Sequence, residues 1–353
     1  HGRTQERRRP ITMPHAKPIP MRSARATSLS GRVSVPGDKS ISHRALIFGA
    51  LATGETVIDG LLEAGDVLGT AEVLRVLGTP IEKRGTRWHI KGRGVGGLAA
   101  PECDLDFGNS GTGTRLMMGV IAGHPLTARF TGDASLSKRP MGRALRPLVR
   151  MGLEIVEAGR ETLPLTLRGS ADLLPIVFEL DVPSAQVKSA VLIAGLHAPG
   201  ETTVVEREAT RDHTEKMLRH FGARVDVERT GTGARITVGG DAELSGRPVV
   251  VPGDPSSAAF LVAAALIAAD SEVTVTGVLT NPTRTGFYET LREMGADIAF
   301  LDRREAGGET IADIRVRSCK LKGVRVPPER APSMIDEYPM LAALAAFADG
   351  EMR

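Results

Sequence analysis

The stretch Val35-Pro36-Gly37-Asp38-Lys39-Ser40-Ile41-Ser42-His43-Arg44 organises this chain. Its proline and glycine predict a turn after the β-like run 29–35, and Asp38 or Ser40 can cap the helix that follows. A lysine, two serines and an arginine then crowd one helix N-terminus, where free backbone N–H groups and the helix dipole favour an anion. Taken alone, the stretch fits an anion site and a capped helix with solvated charges about equally well.

The bulk composition is that of an ordinary globular chain of 353 residues, 41% hydrophobic and 25% charged, and it is long enough for two domains. Residues 1–32 hold eight of the basic residues and one acid, so the remainder carries a net charge of −4. Aromatic residues make up only 3% of the chain. A body that binds nucleic acid usually combines a basic stripe with aromatic residues, so this composition argues against one.

The sequence offers little sign of disulfides, metal or membrane. Cys103 and Cys319 lie far apart without a CxxC spacing, which indicates a reducing compartment. No metal-ligand spacing occurs among the eight His, and the apolar run 260–269 is too short to cross a bilayer. We expect no metal, no cofactor, no nucleic-acid or membrane partner, a cytoplasmic location and a monomer. Residues 1–30 read as a disordered basic tail, with Met13 as the expected start and an organelle transit peptide as the alternative.

The opening stretch is the first of several related helix starts. The others lie at 109–112, 182–189, 251–257 and 332–336. Glycines that would end a later helix as left-handed caps recur at Gly78, Gly152, Gly222 and Gly295. The chain therefore reads as a repeated βαβαββ unit, with four complete units and a fifth that stops near Gly350. Because the last apolar helix lacks a following strand, we expect the chain to be a fragment.

At the later motifs a structural role competes with a functional one. The Gly-rich turn 106–115 can be a helix cap or can bind an anion. The loop 132–141 can carry solvated charges or can bind an anion. A capping box with Thr210 or Asp212 explains much of 210–215, and His213 is interpreted as structural rather than as a metal ligand. Asp336 and Glu337, placed in a first helical turn, can compensate the dipole or include a general base.

Together these stretches resemble the 5-enolpyruvylshikimate-3-phosphate synthase family, and by overall sequence its bacterial, glyphosate-tolerant-like class. The resemblance runs from about Leu29 to Gly350. It rests on motifs at 36–44, 106–115, 132–143, 184–196, 210–217, 251–259, 281–286 and 331–339. It implies an α/β fold, a two-domain inverse α/β barrel built from the repeated units with its last part missing. Residues 31–34 and 250–353 would form the first domain, and residues 35–249 the central domain.

The resemblance also implies a reaction in the shikimate pathway of aromatic amino-acid biosynthesis. The enolpyruvyl group of phosphoenolpyruvate passes to the 5-hydroxyl of shikimate 3-phosphate by addition and elimination, and phosphate is released. Asp336 would accept the hydroxyl proton, and Lys39 would touch both substrates and take part in proton transfer. The implied ligands of shikimate 3-phosphate are Lys39, Ser40, Arg44, Ser184, Ala185, Gln186, Arg211 and Asp336. Those of phosphoenolpyruvate are Lys39, Gly111, Arg139 and Gln186.

Two departures and two alternatives complete the predictions. The family's later Lys-Glu-Ser-Asp-Arg and His-Arg motifs are absent, so we expect this chain alone not to turn over, whereas its full-length parent would. Gly111 stands where an alanine in this family crowds the inhibitor glyphosate, which predicts a glyphosate-sensitive enzyme. One alternative is the related enolpyruvyl transferase acting on UDP-N-acetylglucosamine, whose mobile-loop cysteine matches neither cysteine here. The other is a non-catalytic anion-binding or RNA-binding relative.

Overall fold

The computed structural model describes residues 20–22, 24–240 and 242–353. Most of the predicted disordered tail, including Met13, lies outside the described residues. The first regular element of the described part is a strand that begins at Ser30. None of the described helices is long and apolar enough to cross a membrane.

The described residues form nine α-helices, and four of them begin with a side-chain cap at a predicted helix start. They are α1 (Lys39–Leu51), α2 (Gly65–Val76), α3 (Gly111–Ala122), α4 (Gly142–Met151), α5 (Ala185–Gly195), α6 (His213–His220), α7 (Pro255–Ile267), α8 (Gly286–Glu293) and α9 (Tyr338–Ala345). Asp38 caps α1 by accepting a hydrogen bond of 2.9 Å from the backbone N–H of Ile41. Side chains of Ser110, Ser184 and Asp254 cap α3, α5 and α7 in the same way.

Twenty strands lie in the same part of the chain. They are β1 (Ser30–Ser34), β2 (Ala52–Thr53), β3 (Glu55–Asp59), β4 (Ile81–Arg84), β5 (Arg87–Lys91), β6 (Leu105–Asp106), β7 (Thr127–Thr131), β8 (Glu154–Ile155), β9 (Leu165–Arg168), β10 (Val177–Glu179), β11 (Glu201–Glu206), β12 (Val225–Thr230), β13 (Gly233–Gly239), β14 (Leu244–Ser245), β15 (Val249–Val250), β16 (Glu272–Leu279), β17 (Asp297–Ala306), β18 (Glu309–Arg317), β19 (Leu321–Lys322) and β20 (Ala348–Asp349).

Four four-stranded sheets share one topology, as the repeat predicts. Their strand orders are β15-β3-β5-β4, β6-β7-β9-β8, β10-β11-β13-β12 and β1-β16-β18-β17. In each sheet the first pair is parallel and the next two pairs are antiparallel. The four predicted glycines have φ between +86° and +120°, so the left-handed caps that end the second helix of each unit are also confirmed.

The first and fourth units exchange their edge strands. β1 precedes α1 in the chain but pairs with β16 of the fourth unit, from Ser30 opposite Glu272 to Ser34 opposite Thr276. β15 precedes α7 but pairs with β3 of the first unit. The chain therefore passes twice between two bodies, once just before α1 and once just before α7.

The buried apolar residues fall into two clusters that match these two bodies. One cluster runs from Ile41 to Val251 and the other from Ala258 to Leu344. We refer to the bodies as the central domain and the first domain, and the boundaries at 34/35 and 249/250 remain predictions.

The end of the fifth unit differs from its prediction. The helix α9 is followed by a short strand, β20, which pairs in parallel with β19. The sequence pattern missed this strand because it has only two residues, Ala348 and Asp349, and no alternation of polar and apolar side chains.

Candidate active site

Lys39 is the first residue of α1, and its side chain is 54% exposed. Its Nζ lies 3.5 Å from Oδ2 of Asp66 in the first turn of α2. An exposed ion pair of this kind contributes about 1 kcal/mol or less. An incoming anion can therefore take the place of Asp66 beside this ammonium group at little cost.

Arg44 lies one turn further along α1 and is buried. Its guanidinium donates to Thr214 Oγ1 at 2.7 Å, to Ser189 Oγ at 2.8 Å and to the backbone oxygen of Ser40 at 2.9 Å. Burial lowers its pKa to about 10, which leaves it charged at neutral pH. In this structure Arg44 joins α1, α5 and α6, and its direct contact with substrate remains a prediction.

The N-termini of α3 and α5 are tied together by Gln186. The amide nitrogen of Gln186 donates to Thr112 Oγ1 at 3.0 Å, and its amide oxygen accepts from Arg115 at 3.1 Å. Ser184 and Ala185, both partly buried, stand at the start of α5, where the first backbone N–H groups have no partner within the helix. The predicted ligands Ser184, Ala185 and Gln186 thus adjoin a second helix N-terminus that contains Gly111.

Arginine side chains gather around Gly111. A Cβ built on this buried glycine would lie 3.0 Å from Nη1 of Arg115 and 3.0 Å from Nη1 of Arg139. Burial, together with the charges of Arg139 and Arg143, lowers the pKa of Arg115. Arg139 is held in place by a 2.6 Å hydrogen bond to the side-chain oxygen of Asn109. The cluster is strongly cationic, as an anion-binding pocket requires.

The predicted base lies on the other side of the domain boundary. Asp336 of the first domain accepts a 2.7 Å hydrogen bond from Arg211, which precedes α6 of the central domain. Asp336 was expected in the first turn of a helix, but it lies in a 3-10 turn, Ile335–Glu337, before α9 begins at Tyr338. Pro339, which lacks an N–H donor, suits the first turn of α9 and not a position deeper in a longer helix.

Glu337, the neighbour of Asp336, is buried. Its Oε1 accepts a hydrogen bond from the hydroxyl of Ser256 in the first turn of α7. Burial raises the pKa of Glu337 above its usual value, although Ser256 and Arg284 oppose the shift. Its carboxyl therefore faces the protein interior, whereas half of the Asp336 side chain is exposed.

The segment before α6 departs from its predicted capping box. Thr210 donates to Glu206 Oε2 at 2.7 Å, and Asp212 makes no side-chain cap but accepts a 2.6 Å bond from Asn281. The reason lies in tertiary contacts, since Asn281 belongs to the first domain and competes for the Asp212 carboxylate.

One group of side chains has the composition of a metal site. Ligand atoms of Asp212, His213 and Glu309 lie within 4.8 Å of one another. Glu309 already accepts from Lys216 at 3.2 Å and Asn281 at 3.0 Å, and His213 Nδ1 lies 2.6 Å from its other oxygen. Because Lys216 and Asn281 already donate to the Glu309 carboxylate, we interpret the group as a contact between the two domains.

Sequence reasoning missed several residues of this region. The motifs 106–115 and 132–143 contain Arg115, Arg143 and Asn109, but none of the three was predicted to contact a substrate. For Arg115 the sequence held a signal, because it lies four residues after Gly111. It is therefore one helical turn along α3, on the same face as Gly111. The partners of Arg44 at Ser189 and Thr214 are separated from it by 145 and 170 positions, and no local pattern could reveal them.

Comparison with known proteins places the chain in a family. The family model described as "EPSP synthase (3-phosphoshikimate 1-carboxyvinyltransferase)" matches residues 24–353. The 3-phosphoshikimate 1-carboxyvinyltransferase of Paramagnetospirillum magneticum is 60% identical over 336 residues, which cover 95% of this chain and 75% of that protein. The corresponding protein of Afipia carboxidovorans is 59% identical and covers 97% of this chain and 77% of its own length.

A solved structure is also similar. EPSP synthase from Acinetobacter baumannii superposes with a TM-score of 0.85 at 45% identity, covering 92% of this chain and 73% of that one. This likeness confirms the predicted fold class, a mixed α/β fold of two domains. From the family match, the identities and the shared fold together, we conclude that the chain belongs to the EPSP synthase family.

Proposed function

We propose that this protein transfers the enolpyruvyl group of phosphoenolpyruvate to the 5-hydroxyl of shikimate 3-phosphate and releases phosphate, within the shikimate pathway. The observation that carries the proposal is the presence of cationic and helix N-terminal groups at the starts of α1, α3 and α5, together with the Asp336 carboxylate that Arg211 of the central domain contacts. Both substrates are anions that must be held together for a reaction between them. Fixed cations and oriented N–H groups meet that need and contribute to the rate through preorganisation.

Each proposed binding residue contacts one of the two anions, except Lys39 and Gln186, which contact both. Lys39, Gly111, Arg139 and Gln186 bind phosphoenolpyruvate. Shikimate 3-phosphate is bound by Lys39, Ser40, Arg44, Ser184, Ala185, Gln186, Arg211 and Asp336. To these we add Arg115, whose guanidinium contacts Gln186 and stands beside the phosphoenolpyruvate ligands Gly111 and Arg139.

The ion pair between Arg211 and Asp336 gives the two residues linked roles. In the addition step the 5-hydroxyl loses its proton to Asp336 while its oxygen attacks C2 of phosphoenolpyruvate, and the methylene carbon gains a proton. In the elimination step that carbon loses a proton and the phosphate leaves, with Lys39 taking part in these transfers. A substrate phosphate that binds Arg211 competes with Asp336 for the guanidinium and so frees the carboxylate to act as the base.

We further propose that the enzyme works without a cofactor or metal, because the side chains named above can serve the proton transfers and hold the departing phosphate, and that it is a cytoplasmic monomer. We also propose that Gly111 makes it sensitive to glyphosate, because the hydrogen of glycine leaves room beside Arg139 and Arg115.

The function is tested by phosphate release from the enzyme expressed from its full reading frame. We expect release only when phosphoenolpyruvate and shikimate 3-phosphate are both present. Release with UDP-N-acetylglucosamine in place of shikimate 3-phosphate would instead favour the alternative transferase. The 353-residue chain is assayed beside it, and turnover there would contradict the expectation that this chain alone is inactive. Salt-sensitive retention of RNA by residues 31–353 would support the non-catalytic alternative.

A further inference from the structure

The two units that exchange edge strands also meet at their helix starts. The segments Pro36–Asp38 and Pro252–Asp254 have the same Pro-Gly-Asp sequence. The N–H of Asp38 donates to the oxygen of Pro252 at 2.8 Å, and the N–H of Asp254 donates to the oxygen of Pro36 at 2.9 Å. These reciprocal bonds lie at the two passages of the chain between the domains, which makes them the crossover of the molecule.

A single side chain binds both aspartates of the crossover. Arg284 donates from Nη1 to Asp38 Oδ2 at 2.8 Å and from Nη2 to Asp254 Oδ1 at 3.1 Å. The side chains of Arg284 and Asp38 are only 4% and 1% exposed. Two helix caps from different units are therefore held by one buried guanidinium.

The positive charge of Arg284 stabilises the buried carboxylate of Asp38. Burial opposes ionisation of Asp38, yet Arg284 and the N–H of Ile41 hold the pKa of Asp38 below its usual value. Removing one partner of a buried pair leaves an uncompensated charge and costs much more than an exposed pair does. Without Arg284, Asp38 at the start of α1 would lose its ion-pair partner, and its carboxyl group would ionise less readily.

The same guanidinium extends the contact to the other side of the proposed site. Its Nη2 also donates to Ser256 Oγ at 3.0 Å, and Ser256 donates in turn to Glu337. Lys39 follows Asp38 in the chain, and Asp336 precedes Glu337. A continuous path of hydrogen bonds and peptide bonds thus runs from Lys39 through Arg284 to Asp336.

We propose that Arg284 is a positioning residue that holds Lys39 and Asp336 in register across the domain crossover. This inference rests on the roles proposed above for Lys39 and Asp336. Arg284 is buried behind the helix caps, so it acts through Asp38 and Ser256 rather than on a substrate. Its forked guanidinium reaches two carboxylates at once, which the single ammonium group of a lysine cannot reproduce in the same geometry.

The kinetic test compares Arg284→Gln with wild type. We expect kcat to fall about 10-fold to 100-fold, as a displacement of about 1 Å in the reacting groups produces, while both KM values change by less than about threefold. Arg284→Lys should recover only part of kcat. An Arg284→Gln enzyme with wild-type kcat would overturn the proposal.

Two further variants separate positioning from stability. Ser256→Ala breaks the link to Glu337 but leaves the pair between Arg284 and Asp38, so we expect its kcat to fall. This variant still tests the proposal if the Arg284→Gln protein does not fold. Arg75→Gln is the control, because Arg75 is a half-buried arginine of the central domain. In the described part of that domain its side chain hydrogen-bonds only Glu72 and the backbone of Ile81, and it lies over the Trp88 ring, 5.8 Å from the ring centre. It should lower the melting temperature and keep kcat. An equal loss of kcat in Arg75→Gln would refute a specific role for Arg284.

A distance measurement tests the inference without relying on catalysis. Cys103 of the central domain is exposed, and Cys319 of the first domain is partly exposed, so spin labels on these native residues report the distance between domains. We expect a narrow distance distribution in wild type and a broader or displaced one in Arg284→Gln. An unchanged distribution would contradict the proposal. A broadened distribution together with a wild-type enzyme that releases no phosphate would instead mean that the proposed function fails while the crossover contact stands.

Discussion

At the scale of single residues, Lys39 is the sharpest test of the proposed chemistry. We expect Lys39→Met to lower turnover by at least about 100-fold, because it removes a fixed charge from the site of two anions. The melting temperature should stay near that of wild type, since the side chain is half exposed and makes one weak ion pair. Phosphate release and thermal unfolding measure the two effects.

Asp66→Asn is the matched control for Lys39→Met. It breaks the ion pair of Lys39 but keeps the ammonium group, so turnover should be retained. If Asp66→Asn loses as much activity as Lys39→Met, or if Lys39→Met remains active, the assigned role of Lys39 is wrong.

Gly111 gives the second prediction at this scale. The methyl group of Gly111→Ala would lie 3.0 Å from Arg115 Nη1 and from Arg139 Nη1, closer than ordinary van der Waals contact. The guanidinium groups must shift, so we expect inhibition by glyphosate to weaken by more than the KM for phosphoenolpyruvate rises. Inhibition curves for the two enzymes measure this, and equal inhibition would refute it. Gly65→Ala, where the new methyl group meets no atom within 4 Å, should leave inhibition unchanged.

At the scale of elements, the close approach of α3 and α5 depends on Gly119. A Cβ on this residue would lie 2.3 Å from the backbone oxygen of Ala190 in α5. We expect Gly119→Ala to lower the free energy of unfolding by about 1–3 kcal/mol through overpacking. Urea unfolding measures the change.

Gly69 of α2 provides the control for Gly119. It also lies inside a helix, but its Cβ would meet only the oxygen of Phe107, at 4.0 Å. Gly69→Ala should therefore raise the free energy of unfolding by up to about 1 kcal/mol, because alanine loses less conformational freedom on folding. A stabilised Gly119→Ala protein would show that the two helices can move apart freely.

The elements also show how far local pattern reaches. The starts of α1, α3, α5 and α7 could be predicted because each depends on a capping side chain within three residues of its partner. The start of α9 was misplaced because acidic residues at 336 and 337 resemble a first turn, whereas Ser256 and Arg211 draw them into contacts from other elements. No local signal distinguishes acidic residues in a first helical turn from acidic residues held by side chains of other elements.

At the scale of the whole molecule, buried histidines should make stability depend on pH. Burial, with the charges of Arg44 and Lys39, lowers the pKa of His43 to about 3, and burial beside His124 lowers the pKa of His197 to about 3. The ordinary value is 6.5. Below pH 6.5 the unfolded chain takes up protons that the folded protein does not, so the free energy of unfolding falls as pH falls toward about 3.

Urea midpoints between about pH 7.5 and 4 test this dependence, since carboxylates dominate further into acid. We expect His197→Gln to flatten the loss of stability below pH 6.5. Above about pH 7, where the imidazole is neutral in both states, the variant and wild type should differ by a constant amount. A variant with the wild-type slope would show that His197 does not contribute.

The sequence by itself determined the repeated unit, the capped helix starts and the family, because each depends on residues close together in the chain or on several motifs in order. The tertiary structure alone decided that the first and fourth units exchange edge strands. It also decided that Arg284 binds Asp38 across 246 positions and that Arg211 faces Asp336 across 125 positions. The physical reason is that a cap forms within one turn of backbone, whereas a buried ion pair finds its partner only when distant elements have packed.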